Sequence, residues 1–102
     1  MYLVQLLLPV YDASGTAFPG ARFDGVRRAL AERFGGVTAY MRAPAQGLWE
    51  DEAGRLERDE VLMFEVMVDA LDHGWWAAYR QSLEAEFAQD EILVRASPVS
   101  RL

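Results

Sequence analysis

Five side chains in this sequence could act together: Gln5, Tyr40, Arg42, Glu65 and Arg95. A carboxylate can move a proton, and a guanidinium can hold a small carboxylate in a two-pronged grip. A phenol and an amide can orient what those two groups bind. Each of the five interrupts an apolar run, as in "LVQLL", "TAYMR", "MFEVM" and "LVRAS". Side chains alternate along a strand, so residues of one parity share one face. If that face is covered, Glu65 needs an arginine partner, because an unpaired buried ion costs several kcal/mol. An arginine left over offers a fixed cation for a small anionic ligand. No catalytic role can be assigned to any one residue on this basis.

The inventory also excludes chemistry. There is no Lys, no Cys and no Asn, and all ten basic residues are Arg. Schiff-base catalysis, thiol nucleophiles, disulfides and thiolate metal sites are therefore excluded. His73 is the single histidine, which leaves no histidine cluster and fits a surface or capping role. "DEAGRLERDE" lacks calcium-loop spacing and reads as a solvated hairpin. "GG" at 35–36 reads as a helix stop, without a phosphate-loop context. The expectation is no metal and no cofactor.

The elements that must position these residues follow from periodicity. Residues 2–11 form an apolar, β-rich first strand. "DASGTAFPG" is a loop. Phe23, Val26, Leu30 and Phe34 recur at helical spacing, which predicts a helix over 21–34. Strand two covers 37–43 and strand three covers 60–68. Asp72 can cap a second helix over about 73–89, with Trp75, Tyr79, Leu83 and Phe87 as its stripe. Strand four covers 92–96. The order β-α-β-β-α-β predicts a single ferredoxin-like α+β domain over 1–102. Its antiparallel strand order would be 4-1-3-2, with both helices on one face.

Val4, Leu6, Leu8, Leu62, Phe64, Val66 and Val94 then face the helices. Leu3, Leu7, Val61, Met63, Met67 and Leu93 share the other face with the polar five. That patch is too apolar to leave to water. Strand order 4-1-3-2 would set Arg95, Gln5, Glu65 and either Tyr40 or Arg42 in a row. A second copy covering the face predicts a homodimer, a dimeric α+β barrel. About sixteen residues separate strands two and three, too many for a simple hairpin. They read as an arm extending that pair, with Leu48, Trp49 and Leu56 reaching the partner beside Met63 and Met67.

The stretch "FGGVTAYMRAPAQGLWEDEAGRLERDEVLMFEV" resembles an uncharacterised family of small bacterial proteins. Its marks are a Gly-Gly-x-Thr strand, Gly-x-Trp, an acidic turn with Gly, and an apolar strand. The resemblance covers about a third of the chain and implies a ferredoxin-like fold, often in a dimeric barrel. It implies no particular activity. The wider dimeric-barrel superfamily includes cofactor-free monooxygenases, haem-degrading enzymes and small isomerases. Some of those oxygenases use Asn, Trp and His, and this chain has no Asn.

Composition sets the remaining bounds. An apolar content of 52% and an aromatic content of 12% fit a packed domain. The net charge of -6 disfavours nucleic acid and anionic membranes as partners. "MYLVQLLLPVYD" lacks a basic leader and is too short to span a bilayer, so the cytoplasm is the expected location. Two functions fit: a homodimeric small-ligand-binding or structural module, or a cofactor-independent enzyme, isomerase or monooxygenase-like, with a Tyr/Arg/Glu pocket.

Overall fold

The computed structural model describes residues 1–42, 48–50, 56–58 and 60–102. The side chains of Tyr40, Arg42, Leu48, Trp49 and Leu56 lie outside the described part, and so do the contacts expected of them.

Strand β1 (Tyr2–Pro9) shows how the sequence shapes the fold. Val4, Leu6 and Leu8 are fully buried, while Leu3, Gln5 and Leu7 between them are half-buried. The strand stops at Pro9, short of Tyr11, which makes only an isolated bridge to Ala17. Helix α1 (Gly20–Phe34) follows and buries Val26 and Leu30. Gly35 ends it with φ 77°, and its N–H donates to the Ala31 carbonyl at 2.8 Å. A left-handed backbone there favours glycine, which has no Cβ to clash.

Strand β2 (Thr38–Arg42) leads to a short hairpin, β3 (Leu48–Glu50) and β4 (Leu56–Arg58). This hairpin is a two-stranded sheet of its own, pairing Leu48 with Arg58, Trp49 with Glu57 and Glu50 with Leu56. Strand β5 (Val61–Val68) returns through the middle of the main sheet.

Helix α2 (His73–Glu86) starts where expected: Asp72 accepts a hydrogen bond from the Trp75 N–H at 3.0 Å. That cap satisfies a donor the helix itself leaves unpaired. His73 lies exposed in its first turn. The helix ends earlier than residue 89 because Ala88 takes φ 49°. The N–H of Gln89 then closes back on the Glu84 carbonyl at 2.9 Å, the wrap that terminates many helices. Strand β6 (Leu93–Pro98) completes the chain's regular structure as an edge strand, a position that tolerates its terminal proline.

Four strands form one antiparallel sheet, ordered β2-β5-β1-β6. The core lies between this sheet and the helices, with Phe64, Phe87, Leu30 and Leu83 at its centre. Aromatic rings close it at both ends. Phe18 and Phe23 pack on Phe87 at 5.1 and 5.3 Å. At the other end Phe34 of α1 stacks flat on Trp76 of α2 at 5.2 Å. Trp75 stands edge-on to Trp76 and stacks on Tyr79 at 4.9 Å. The Arg33 guanidinium lies 4.2 Å above Trp75, which ties the two helices further. Burial, helped by the charge of Glu86, pushes the Tyr79 phenol up to about 12.

Candidate functional site

The face of the sheet away from the helices carries the polar residues. Its register places Arg95 of β6 opposite Gln5 of β1, and Gln5 opposite Glu65 of β5. These three side chains form a relay. The Arg95 Nε–H donates to the Gln5 carbonyl oxygen at 2.8 Å. The Gln5 amide nitrogen donates to Glu65 Oε1 at 2.7 Å. One orientation of the Gln5 amide serves both bonds, so its dipole runs from cation to carboxylate. Bonds to charged groups are the stronger kind. Strand pairing sets the geometry, because directly opposed residues bring their Cβ atoms to about 5 Å.

The row differs from expectation on β2. Thr38 is the residue opposite Glu65, while Tyr40 pairs with Met63 and Arg42 with Val61. Tyr40 and Arg42 therefore sit two and four residues along the edge strand from the relay. The reason is register: residues of one parity share a face, but only one of them can be level with Glu65. The Arg95 guanidinium reaches Gln5 first, so Gln5 carries the link between Arg95 and Glu65.

Apolar residues flank the relay unevenly. Met63, paired with Leu7 and Tyr40, is buried to 1% exposure although it faces away from the helices. Met67 is 55% exposed and Leu93 48%. Leu3 pairs with Met67 directly beside the Gln5–Glu65 pair.

Next to Glu65 lies a cleft of about 660 Å³. The end of α1 at Phe34, Gly35 and Gly36 forms one wall, and Thr38, Glu65 and Met67 form another. Leu3 and Arg101 also line it. Arg101 follows β6, whose pairing with β1 extends one step further through the Val99 N–H, which donates to the Met1 carbonyl at 3.1 Å. Glu65 belongs to both relay and cleft. Alternation puts Thr38 on the outer face with Tyr40 and Arg42, but neither Thr38 nor Arg101 was among the expected site residues. Arg101 follows Pro98 in a stretch without periodicity, and no local signal points to it. Among the described residues, no group of His, Cys, Asp or Glu is placed to hold a metal, and no helix is long and apolar enough to cross a membrane.

The sequence matches no protein-family model and no curated protein. Its fold does have solved counterparts. The chain is similar to a phage SAM lyase in complex with S-methyl-5'-thioadenosine, with a TM-score of 0.60 and 13% identity. That match covers 94% of this chain and 79% of the other. It is also similar to a phage SAM lyase in the apo state, with a TM-score of 0.51, 15% identity, and 94% and 78% coverage. At such identities the likeness is one of fold: a small α+β domain with a four-stranded antiparallel sheet and two helices.

Proposed function

We propose that this chain is a homodimeric small-ligand-binding domain, with its site on the sheet face away from the helices. The observation that carries this reading is the Arg95–Gln5–Glu65 relay, which stands beside an open cleft rather than within a packed core. Gln5, Glu65 and Arg95 form the site's floor, and Tyr40 and Arg42 approach from β2. The preferred guest is a small anion, such as a carboxylate, gripped by an arginine. The domain is ferredoxin-like, and the resemblance of "FGGVTAYMRAPAQGLWEDEAGRLERDEVLMFEV" to small bacterial proteins supports that assignment.

The second copy covers the sheet face, giving a dimeric α+β barrel. Exposed Met67 and Leu93 support this, since apolar side chains of that size on one face favour a partner. The β3–β4 hairpin reaches across with Leu48, Trp49 and Leu56, next to exposed Met67; Met63, already buried within its own chain, lies beneath this contact rather than in it. Neither nucleic acid nor membrane is a partner, and the protein works in the cytoplasm. Light scattering coupled to gel filtration tests the assembly: a dimer is expected, weakened by Trp49→Ala and Met67→Glu. A wild-type monomer at micromolar concentration would overturn it. A thermal-shift screen of small carboxylates tests the site. Wild type should be stabilised and Arg42→Ala should not; absence of any hit would leave the relay as a structural contact.

A second reading makes the chain a cofactor-independent enzyme with Glu65 as acid or base. The likeness in fold to a phage SAM lyase favours it, as does the thioadenosine bound to that neighbour. S-methyl-5'-thioadenosine belongs in the same screen, because stabilisation by it would favour a nucleoside site in the cleft.

A further inference from the structure

The cleft marks the place where the ladder between β2 and β5 opens. One wall is the chain from Phe34 to Thr38, and the other is Glu65, Val66 and Met67. The Val10 N–H donates to the Glu60 carbonyl in line with the β1–β5 register, so the even-numbered residues of β5 bond to β1. The odd-numbered residues turn their N–H and C=O groups to β2. Glu65 is paired with Thr38 in this way. The next rung would join Met67 to Gly36, but β2 begins only at Thr38, since the chain is still leaving the left-handed turn at Gly35. Among the described residues, neither Met67 nor Gly36 has a backbone hydrogen bond across this gap. Met67 thus turns one N–H and one C=O towards the opening, and it is 55% exposed.

An edge of this kind selects its guest. A donor and an acceptor spaced as on a strand are matched by another extended backbone, the pairing used when a segment adds to a sheet. The Thr38–Glu65 rung closes the inner end of the gap, so it takes a short segment rather than a long strand. Arg101 adds a charge requirement. It lines the same cleft, is exposed, and makes no hydrogen bond or ion pair with any described residue. Its planar fork matches a carboxylate. Leu3 and Met67, paired across β1 and β5, supply an apolar lining together with Phe34 and Val37. A backbone amide, a carboxylate and an apolar side chain together describe the carboxyl end of a peptide. Glu65 stays engaged with the relay and takes no part in holding the guest.

We propose that this cleft binds an N-acylated α-amino acid with an apolar side chain, either free or as the carboxyl end of a peptide. The guest's amide N–H donates to the Met67 carbonyl, and one carboxylate oxygen accepts from the Met67 N–H. Arg101 holds the same carboxylate, and Leu3 and Met67 receive the side chain. The inference rests on the ligand-binding reading above and deepens it: the anion carries an amide, and the open rung of the sheet reads it.

Calorimetric titration with three probes tests this: N-acetyl-L-leucine, its amide N-acetyl-L-leucinamide, and O-acetyl-L-leucic acid, in which an ester oxygen replaces the amide N–H. On wild type, N-acetyl-L-leucine should bind about tenfold more tightly than either analogue. Arg101→Gln should weaken N-acetyl-L-leucine by about tenfold and leave the leucinamide unchanged. Unchanged melting of the exposed Arg101→Gln variant controls for folding. Hydrogen exchange at the Met67 amide should slow when N-acetyl-L-leucine is bound, a readout that a loose surface ion pair would not move. N-acetyl-L-alanyl-L-leucine distinguishes the sources: tighter binding than N-acetyl-L-leucine supports a peptide end, and equal binding supports a free acylamino acid. Equal affinity for the amide and ester probes, indifference to Arg101→Gln, or an unprotected Met67 amide overturns the inference. Carboxylate binding that depends on Arg42 and not on Arg101 overturns it while leaving the ligand-binding reading intact. Binding of none of the probes overturns the inference, and a failed carboxylate and nucleoside screen would separately remove the broader reading.

Discussion

Met63 and Phe64 are neighbours on β5 and point to opposite faces, yet both are buried, at 1% and 0% exposure. Beyond them the two faces part. On the helix side, Val66 and Val68 stay buried in a continuous apolar core. On the other side, burial falls from Met63, through half-buried Glu65, to exposed Met67. The helix face is uniform, and uniform burial is what fixes register and topology. The outer face is graded, and its polar relay and cleft lie midway along that gradient. Tight packing and a place for chemistry thus occupy opposite sides of the same strands.

The comparison can be broken at its strongest point. Phe64→Ala opens a cavity among Leu30, Leu83 and Phe87 and should destabilise the fold by about 3–5 kcal/mol. Chemical denaturation measures this, and a loss below about 1 kcal/mol would mean that the helix side is not the stabilising face.

The helix layer also carries a pH dependence. The Tyr79 phenol is raised from 10.0 to about 12, chiefly by burial. A group whose folded pKa exceeds its unfolded value stabilises fully below the unfolded pKa and loses that contribution as pH rises through the folded one. Stability should therefore fall between pH 10 and about 12. After discounting for partial exposure, the loss is about 1–2 kcal/mol. Tyr79→Phe should flatten that limb, as read by melting curves across the range.

On the outer face the expected effects are smaller. Gln5→Leu removes both bonds of the relay while keeping a side chain of similar size. Its cost should be about 1 kcal/mol, because the groups are only partly buried. The same variant should make the position of Arg95 sensitive to salt, a difference visible in melting temperature at low and high ionic strength. A loss as large as that of Phe64→Ala would erase the distinction between the faces.

The smallest effect is a gain. Ala88 holds φ 49° at the end of α2, where glycine carries no steric penalty. Ala88→Gly should stabilise by about 0.5–1 kcal/mol, raising the melting temperature by a few degrees. A drop in melting temperature would show that the constraint Ala places on the unfolded chain outweighs that strain.

Much of this architecture was legible in the residues because its causes are local. Alternation in "YLVQLLLP" and "VLMFEVMV" separated Leu6 and Phe64 from Gln5 and Glu65, since a strand has only two faces. Asp72 and Gly35 marked helix ends because a cap depends on a side chain or a missing Cβ within one turn. Two helices and four long strands of a small α+β domain followed from such signals. What the sequence by itself determined was therefore which residues lie together on a face. Only the tertiary structure decided which of them touch. Thr38, not Tyr40, stands level with Glu65, because register depends on hydrogen bonds between β2 and β5. Gln5 links Arg95 to Glu65 because three strands distant in sequence bring their side chains level. Ala88 adopts a left-handed backbone that its residue type does not favour, held by the wrap of Gln89 onto Glu84. Arg101 lines the cleft just past Val99, which is tied by a hydrogen bond to Met1 at the opposite end of the sequence. Contacts of that range have no local signature, since only the folded chain brings the two ends together.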